Sequence, residues 1–188
     1  MTASPRRDYL VETALKLFSR DGYHATGIDK ILAESGVAKM TLYKHFKSKD
    51  ALILAALRLR DERFRDWLSG EVERRAQTPR ERLLAIFEAL EAWFAEDTFS
   101  GCSFINAAAE FADPDNPIHA AAAEHKALIA AYVRDLAAAA GAADPEELTR
   151  RMELLIEGAI VVAQVSGRAD AAHAAGRAAA VLIADAIA

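Results

Sequence analysis

The stretch Ser35–Leu52, SGVAKMTLYKHFKSKDAL, places four lysines, a histidine, a tyrosine and a threonine around a few apolar side chains. Residues 27–34, which precede it, have the apolar spacing of a helix, and residues 38–45 continue with a second one. Between them stands Gly36, and glycine lets a backbone reverse direction at a positive φ. The pattern therefore predicts two helices joined by a tight turn, which is a helix-turn-helix.

The apolar side chains of this stretch predict which surface is exposed. A small core that holds the two helices at a fixed angle would consist of Ile28, Ile31, Leu32, Val37 and Leu42. The second helix then presents Lys39, Met40, Thr41, Tyr43, Lys44 and His45 to the outside. A helix fits the major groove of DNA, where its N-terminal residues reach base edges while flanking donors bind phosphates. Lys49 opens the next helix, whose first N–H groups also favour a phosphate.

Charge is distributed unevenly along the chain. The 188 residues carry a net charge of −5, yet residues 1–50 hold nine basic and six acidic side chains. The first 50 residues are therefore +3, and the other 138 are −8. A basic segment on an acidic protein favours a polyanionic partner for that segment alone.

Helix signals recur along the rest of the sequence, and no strand alternation is apparent. Alanine is abundant, whereas glycine and proline are sparse, which favours helices. A capping side chain stands before a proline at four positions, Ser4, Thr78, Asn116 and Asp144. Glu81 and Glu147 complete capping-box patterns, and Thr26 with Asp29, and Ser48, mark further helix starts. We predict an all-α fold of about nine helices: 5–21, 27–34, 38–45, 48–76, 79–96, 102–112, 117–140, 145–167 and 170–187.

Several protein classes are excluded by what the sequence lacks. It contains no apolar run of 18 residues, so no membrane span is expected. Its start lacks the apolar block of a signal peptide, so a cytoplasmic location is expected. Cys102 is the single cysteine, which excludes an intramolecular disulfide and a multi-cysteine zinc site. No signature supports an enzyme that uses Cys102 with His119 or His125, and no cofactor, metal or catalytic residue is predicted.

The helix-turn-helix segment resembles the DNA-binding segment of TetR-family transcriptional regulators. The resemblance lies in G-V-A-x-x-T-L-Y-x-H-F-x-x-K-D-x-L, from Gly36 to Leu52, and in F-x-x-x-G-Y-x-x-T, from Phe18 to Thr26. It implies a homodimer that binds double-stranded operator DNA. Residues 1–47 would form the DNA-binding domain, and residues 48–188 would form a ligand-binding and dimerisation domain.

The same resemblance implies roles for individual residues. It places Thr26, Tyr43, His45 and Lys49 at phosphates, and Lys39, Met40, Thr41 and Lys44 at or near bases. Gly27 departs from the pattern, because many relatives have serine or threonine there. Asp29 is expected to cap its own helix rather than to contact DNA. Tyr43 and Phe46 can both pack the domain instead, and we assign Tyr43 to a phosphate and Phe46 to packing. Arg6 and Arg7 fit either a DNA-contacting arm or an ordinary surface.

The last two predicted helices carry many apolar and small side chains. The resemblance assigns them to a four-helix dimer interface, and the alternative is an intramolecular core. The interface candidates are Met152, Leu155, Ile156, Ala159, Ile160, Ala163, Ala175, Ala179, Leu182 and Ile183.

A pocket for an unknown small-molecule effector is expected among helices four to eight. Ligand pockets are usually apolar with a few polar groups. The candidates are Trp67, Phe87, Trp93, Phe94, Phe104, Asn106, Phe111, His125 and Tyr132. Each aromatic side chain is also compatible with the core. His125 interrupts an apolar stripe, so it either contacts the ligand or is buried against a neighbour that satisfies it.

The sequence thus predicts a DNA-binding transcriptional regulator, and the resemblance implies a repressor that a ligand releases from its operator. An alternative keeps the same DNA-binding domain but places control at Cys102, whose thiolate would react with an oxidant or electrophile. Otherwise Cys102 is a small buried hydrophobe.

Overall fold

The protein is described by a computed structural model over residues 5–187, and within that range it is all-α. Its helices are α1 (Pro5–Asp21), α2 (Ile28–Ser35), α3 (Lys39–His45), α4 (Lys49–Arg75), α5 (Pro79–Phe94), α6 (Ser103–Glu110), α7 (Pro117–Ala139), α8 (Pro145–Ser166) and α9 (Ala171–Ala186). Every predicted helix is present, and no end differs from its prediction by more than two residues. The fold class is therefore confirmed, while the predicted cap Ser4 lies outside the described residues.

Local capping explains why most helices begin where the sequence predicts. At α5, Glu81 N donates to Thr78 Oγ1 and Thr78 N donates to the Glu81 carboxylate, which is a complete capping box. Three other side chains accept a backbone N–H at a helix start: Ser48 at 3.1 Å, Asn116 at 2.8 Å and Asp144 at 3.0 Å. These contacts satisfy donors that a helix end leaves without a partner.

The start of α2 differs from its prediction. Its N-cap is Gly27, which makes no side-chain cap, so neither Thr26 nor Asp29 has the expected capping role. Thr26 Oγ1 instead donates to Gly22 O at 2.7 Å. The hydroxyl is thereby directed back into the α1–α2 connection, where it ties the loop to the end of α1.

The chain divides into two compact units. Within the described range, the first comprises residues 5–63 and 103–125, and the second comprises residues 64–102 and 126–187. In the first unit α1 packs against α2 and α3, and in the second α9 packs against α8 and α5. The predicted domain boundary at residue 47 stays a prediction. None of the helices in residues 5–187 is long and apolar enough to cross a bilayer.

Helices α8 and α9 are apolar on two sides. Seven of the ten predicted interface residues are buried within the single chain: Met152, Ile156, Ala159, Ile160, Ala163, Ala179 and Ile183. They form intramolecular core, because α9 packs against α8 and α5. Leu155, Ala175 and Leu182 are half-buried. Another side of the two helices exposes five apolar side chains, Leu154, Val161, Val162, Val165 and Val181, which we call the α8–α9 apolar face.

Candidate DNA-binding surface

The turn between α2 and α3 has the predicted geometry. Gly36 has φ 64°, and its N–H donates to Leu32 O at 2.9 Å. A residue with a Cβ atom is strained in that left-handed conformation, which explains why a glycine occupies this position. Ile31 and Leu42 are fully buried, and the other three predicted core residues, Ile28, Leu32 and Val37, are half-buried. Ile31 and Leu42 thus anchor α2 and α3, each of which packs against α1.

The outer side of α3 is free of apolar packing. Met40 is 86% exposed and Tyr43 is 47% exposed, although large apolar and aromatic side chains usually gain by burial. Lys39 and Lys44 are also exposed, while Thr41 and His45 are half-buried. The predicted base-contacting residues therefore share one accessible helix with the predicted phosphate contact Tyr43.

Asp29 forms an ion pair within this surface. Its Oδ1 atom lies 3.6 Å from Lys39 Nζ, and both side chains are largely exposed. Exposed ion pairs contribute only about 0–1 kcal/mol. Lys39 can therefore exchange this carboxylate for a phosphate or a base edge at little cost.

Two further predictions concern packing. Thr26 is fully buried, backbone and side chain together, so it presents no exposed group to a phosphate, contrary to the prediction for this residue. Phe46 is 4% exposed, and the Arg7 guanidinium lies 5.4 Å from the centroid of its ring. The packing role assigned to Phe46 is confirmed. Arg6 and Arg7 both lie within α1, so they do not form an extended arm.

His24 and Glu110 also belong to this surface, and sequence reasoning missed both. Lys49 Nζ donates to His24 O at 3.2 Å. Glu110, the last residue of α6, accepts the backbone N–H groups of Tyr23 at 2.8 Å and His24 at 2.6 Å. The His24 ring nitrogen Nδ1 lies 2.9 Å from the same carboxylate, and the ring stacks on Phe111. The only local signal was one acid at the end of an otherwise uncharged helix.

Competing effects act on the Glu110 carboxylate. Burial raises its pKa, whereas the hydrogen bonds from the backbone N–H groups of His24 and Tyr23 and from the His24 ring lower it. The net pKa is below the ordinary value, because donors that favour the charged form outweigh partial burial. Glu110 is therefore ionised at neutral pH.

The predicted pocket residues are distributed over both units. In the second unit, Trp67 and Phe94 join a ring cluster around Trp93, whose centroid is 5.1 Å from that of Phe64 and 5.0 Å from that of Phe99. Phe87 is also buried there. Phe104, Asn106, Phe111 and His125 belong to the first unit. Their contact with a ligand stays a prediction.

His125 has the environment of a satisfied core histidine. It is 3% exposed, and its Nδ1 atom lies 2.7 Å from Asp61 Oδ1. Its ring is stacked on Phe104 with the centroids 3.6 Å apart. Of the two alternatives for His125, burial against a satisfying neighbour describes these contacts.

Tyr132, unlike His125, has a buried polar group without a hydrogen-bond partner among the described residues. Its hydroxyl is the buried side-chain polar atom that, among residues 5–187, has no hydrogen-bond partner. Burial raises the pKa of Tyr132, the charge of Glu73 raises it further, and Arg82 lowers it. A buried hydroxyl without a partner is costly, so it calls for a structural or functional explanation.

Cys102 is 5% exposed and is not isolated from charge. Lys126 Nζ lies 3.5 Å from its Sγ atom and 2.7 Å from both carboxylate oxygens of Glu157. Burial agrees with the assignment of Cys102 as a small hydrophobe. The neighbouring ammonium group gives the sulfur a polar setting that the sequence did not predict.

Comparisons with known proteins agree with the helix-turn-helix. Residues 10–56 match the family described as bacterial regulatory proteins, tetR family, and residues 79–179 match the tetracyclin repressor-like C-terminal domain. The transcriptional regulator YjdC of Escherichia coli is 28% identical over 171 residues, which cover 89% of each chain. The transcriptional activator FasR of Mycolicibacterium smegmatis is 38% identical over 89 residues, 47% of this chain and 39% of FasR.

A solved structure extends the match to almost the whole chain. SCO4454, a TetR-family transcriptional regulator from Streptomyces coelicolor, superposes with a TM-score of 0.89 and 29% identity, covering 96% of this chain and 95% of that one. These similar proteins are transcriptional regulators. The chain therefore belongs to the TetR family of transcriptional regulators and carries the family's DNA-binding helix-turn-helix.

Proposed function

We propose that the protein is a cytoplasmic repressor that binds operator DNA through α3 and leaves it when a small molecule binds to residues 48–188. The observation that supports this proposal most strongly is the exposed side of α3. Met40 and Tyr43 lie there among lysines, while buried Leu42 anchors the helix. An exposed aromatic hydroxyl with adjacent ammonium groups suits a groove lined by phosphates.

The proposal divides the surface into two kinds of contact. Lys39, Met40, Thr41 and Lys44 would read or adjoin bases. Tyr43, His45 and Lys49 would bind phosphates. Base contacts decide sequence preference, whereas phosphate contacts add affinity on every sequence.

The direct test is a titration of the purified protein against DNA that flanks its own gene, at two salt concentrations, with a scrambled duplex as control. We expect selective binding whose affinity falls steeply with salt, because bound lysines release counterions from the DNA. Equal affinity for the flanking and scrambled duplexes at every salt concentration would contradict sequence-selective regulation from these sites.

Four variants test the division of roles. Tyr43→Phe and Lys49→Ala should weaken binding to the selected and scrambled duplexes alike. Lys39→Ala or Lys44→Ala should change the ratio of the two affinities. Unchanged affinity in all four folded variants would refute the site assignment.

We further propose that the α8–α9 apolar face is covered by a second copy of this chain. The face presents Leu154, Val162 and Val165 to solvent, and soluble monomers rarely expose contiguous apolar patches of large size. The resemblance to TetR-family regulators supports a homodimer at these helices. Its two α3 helices would then occupy half-sites about 34–36 Å apart, one turn of the DNA helix.

For the effector we propose a hydrogen bond with the hydroxyl of Tyr132. This hydroxyl is buried without a partner in a domain that is otherwise well satisfied over the described residues. A ligand with a polar group on an apolar body would complete the bond and bury its remaining surface. Screening by thermal shift should give ligands that stabilise the natural protein more than Tyr132→Phe; equal shifts for every ligand would contradict this contact.

The proposal of repression, rather than activation, rests on the family resemblance. The relatives also include an activator, FasR. Repression predicts that deletion of the gene raises transcription from the promoter whose DNA the protein binds. A fall in that transcription would identify an activator instead.

Control at Cys102 is the second candidate, and the contact with Lys126 favours it. Reactive cysteines often lie beside a cationic group, and Lys126 Nζ, which also binds Glu157, is 3.5 Å from the sulfur. Mild hydrogen peroxide would then release the protein from DNA, and Cys102→Ser would abolish the release. Equal release of both proteins, or of neither, would exclude this thiol as the sensor.

A further inference from the structure

A carboxylate from a distant part of the chain binds the loop between α1 and α2. Glu110 accepts the N–H groups of two consecutive residues, Tyr23 and His24, and also adjoins the His24 ring. The carbonyl of the same His24 residue accepts Lys49 Nζ. A chain of contacts therefore runs from α6 through one loop residue to a lysine that the proposed function places at a DNA phosphate.

We propose that Glu110 is a positioning residue for the phosphate contact of Lys49. Because the N–H and C=O groups of His24 belong to one short backbone segment, the carboxylate that fixes the N–H group also fixes the carbonyl that Lys49 reaches. An ammonium group has three donors. One donor bound to His24 leaves two for a phosphate, and it removes much of the rotational freedom that a lysine side chain otherwise loses on binding.

Two further features bring this loop and α6 together. Gly22 has φ 89°, and a Cβ atom at this position would lie 3.1 Å from Glu110 Oε1. Glycine therefore provides both the backbone conformation and the space for the close approach. The hydroxyl of buried Tyr23 donates to Ser103 O at 3.0 Å, which ties the same loop to the other end of α6.

The inference rests on the proposed DNA binding, but its test does not require the operator. A phosphate contact acts on any duplex, so a mixed-sequence duplex at low salt is the probe. Glu110→Gln removes the charge and presents an amide that cannot accept all three donors. Glu124→Gln is the matched control, because Glu124 is an exposed glutamate on α7. Thermal unfolding of each full-length variant establishes that it is folded.

We expect Glu110→Gln to weaken binding by roughly tenfold or more, tenfold being the lower end of the loss for a hydrogen bond to a charged group. The slope of log affinity against log salt should become shallower by about 0.9, the value for one phosphate contact. Lys49→Ala should produce the same two changes, and Glu110→Gln should add nothing in the Lys49→Ala background, because both substitutions remove one contact. A purely electrostatic role predicts the opposite sign, since removing a negative charge favours binding to DNA.

The outcomes separate the two proposals. If the natural protein binds no duplex at low salt, the proposed function is wrong and the positioning role falls with it. If the natural protein binds and folded Glu110→Gln binds as tightly as Glu124→Gln, only the positioning role is overturned. Additive losses for Glu110→Gln and Lys49→Ala also overturn it. Should Glu110→Gln fail to fold, Glu110→Asp replaces it, because the shorter acid keeps the charge but cannot span both backbone N–H groups.

Discussion

Replacing Tyr132 by phenylalanine should stabilise the free protein. The substitution removes one oxygen atom that is buried without a hydrogen-bond partner and leaves the ring in place. A buried, unsatisfied polar group costs about 1–3 kcal/mol relative to a solvated one. Taking the lower end, we expect the free energy of unfolding to rise by about 1 kcal/mol, which corresponds to a midpoint about 2–4 °C higher for a chain of this size.

The assay is thermal unfolding at neutral pH, and Tyr9→Phe provides the control. Tyr9 is 53% exposed, so water solvates its hydroxyl and its removal should leave the midpoint unchanged. A Tyr132→Phe midpoint at or below that of the natural protein would refute the reasoning, since it would mean that the hydroxyl has a favourable partner in solution. A second check raises the pH. Burial raises the pKa of Tyr132 above its ordinary value of 10.0, so the folded state favours the protonated hydroxyl. The associated stability is present below pH 10.0 and is lost as the pH rises through the pKa of the folded state; Tyr132→Phe has no such group and should lose less stability over that range.

Three further predictions address the other surfaces. Val165→Glu should convert a dimer into a monomer in sedimentation at micromolar concentration, because it places a charge on the exposed α8–α9 apolar face, while Leu128→Glu on α7 should leave the dimer intact. Leu42→Ala should lower the free energy of unfolding by roughly 2–5 kcal/mol in urea titrations, because the side chain it truncates is fully buried. The pKa of Glu110 lies below its ordinary value of 4.5, so the stability that its ionised form contributes is present above pH 4.5 and is lost as the pH falls through the pKa of the folded state. In urea titrations the free energy of unfolding of the natural protein should therefore decrease in acid more than that of Glu110→Gln.

The helices could be predicted because their signals are local. Thr78 and Glu81, three residues apart, form the capping box that their spacing predicts, and Gly36 adopts the positive φ that the turn needs. Which side of a helix faces its own chain is not a local property when both sides are apolar. Val162 and Ala163 are neighbours in α8, yet one is 40% exposed and the other 4%, and periodicity alone could not separate them.

Contacts between residues far apart in the chain could not be predicted from the sequence for a related reason. Glu110 meets His24 across 86 positions, and Lys126 meets Glu157 across 31. Each residue is an ordinary surface type on its own helix, so nothing nearby in the sequence identifies its partner. Tyr132 shows the converse case, because its aromatic ring fits a core stripe and only the structure reveals that its hydroxyl has no partner.

The proposed contact with Tyr132 also limits what an effector must be. A ligand shifts the protein away from its DNA-binding conformation only by its difference in affinity for the two conformations. A hundredfold loss of operator affinity therefore requires about 2.8 kcal/mol of that difference. One hydrogen bond contributes a net of about 0.5–1.5 kcal/mol, so the Tyr132 hydroxyl cannot supply the release alone. At about 25 cal/mol per Å², the remainder corresponds to roughly 50–90 Å² of apolar surface buried in one conformation and not in the other.

An effector should consequently be mainly apolar with one polar group. Removing that group should weaken induction roughly two- to tenfold without abolishing it. Complete loss of induction would mean that polar contacts, not apolar burial, drive the release.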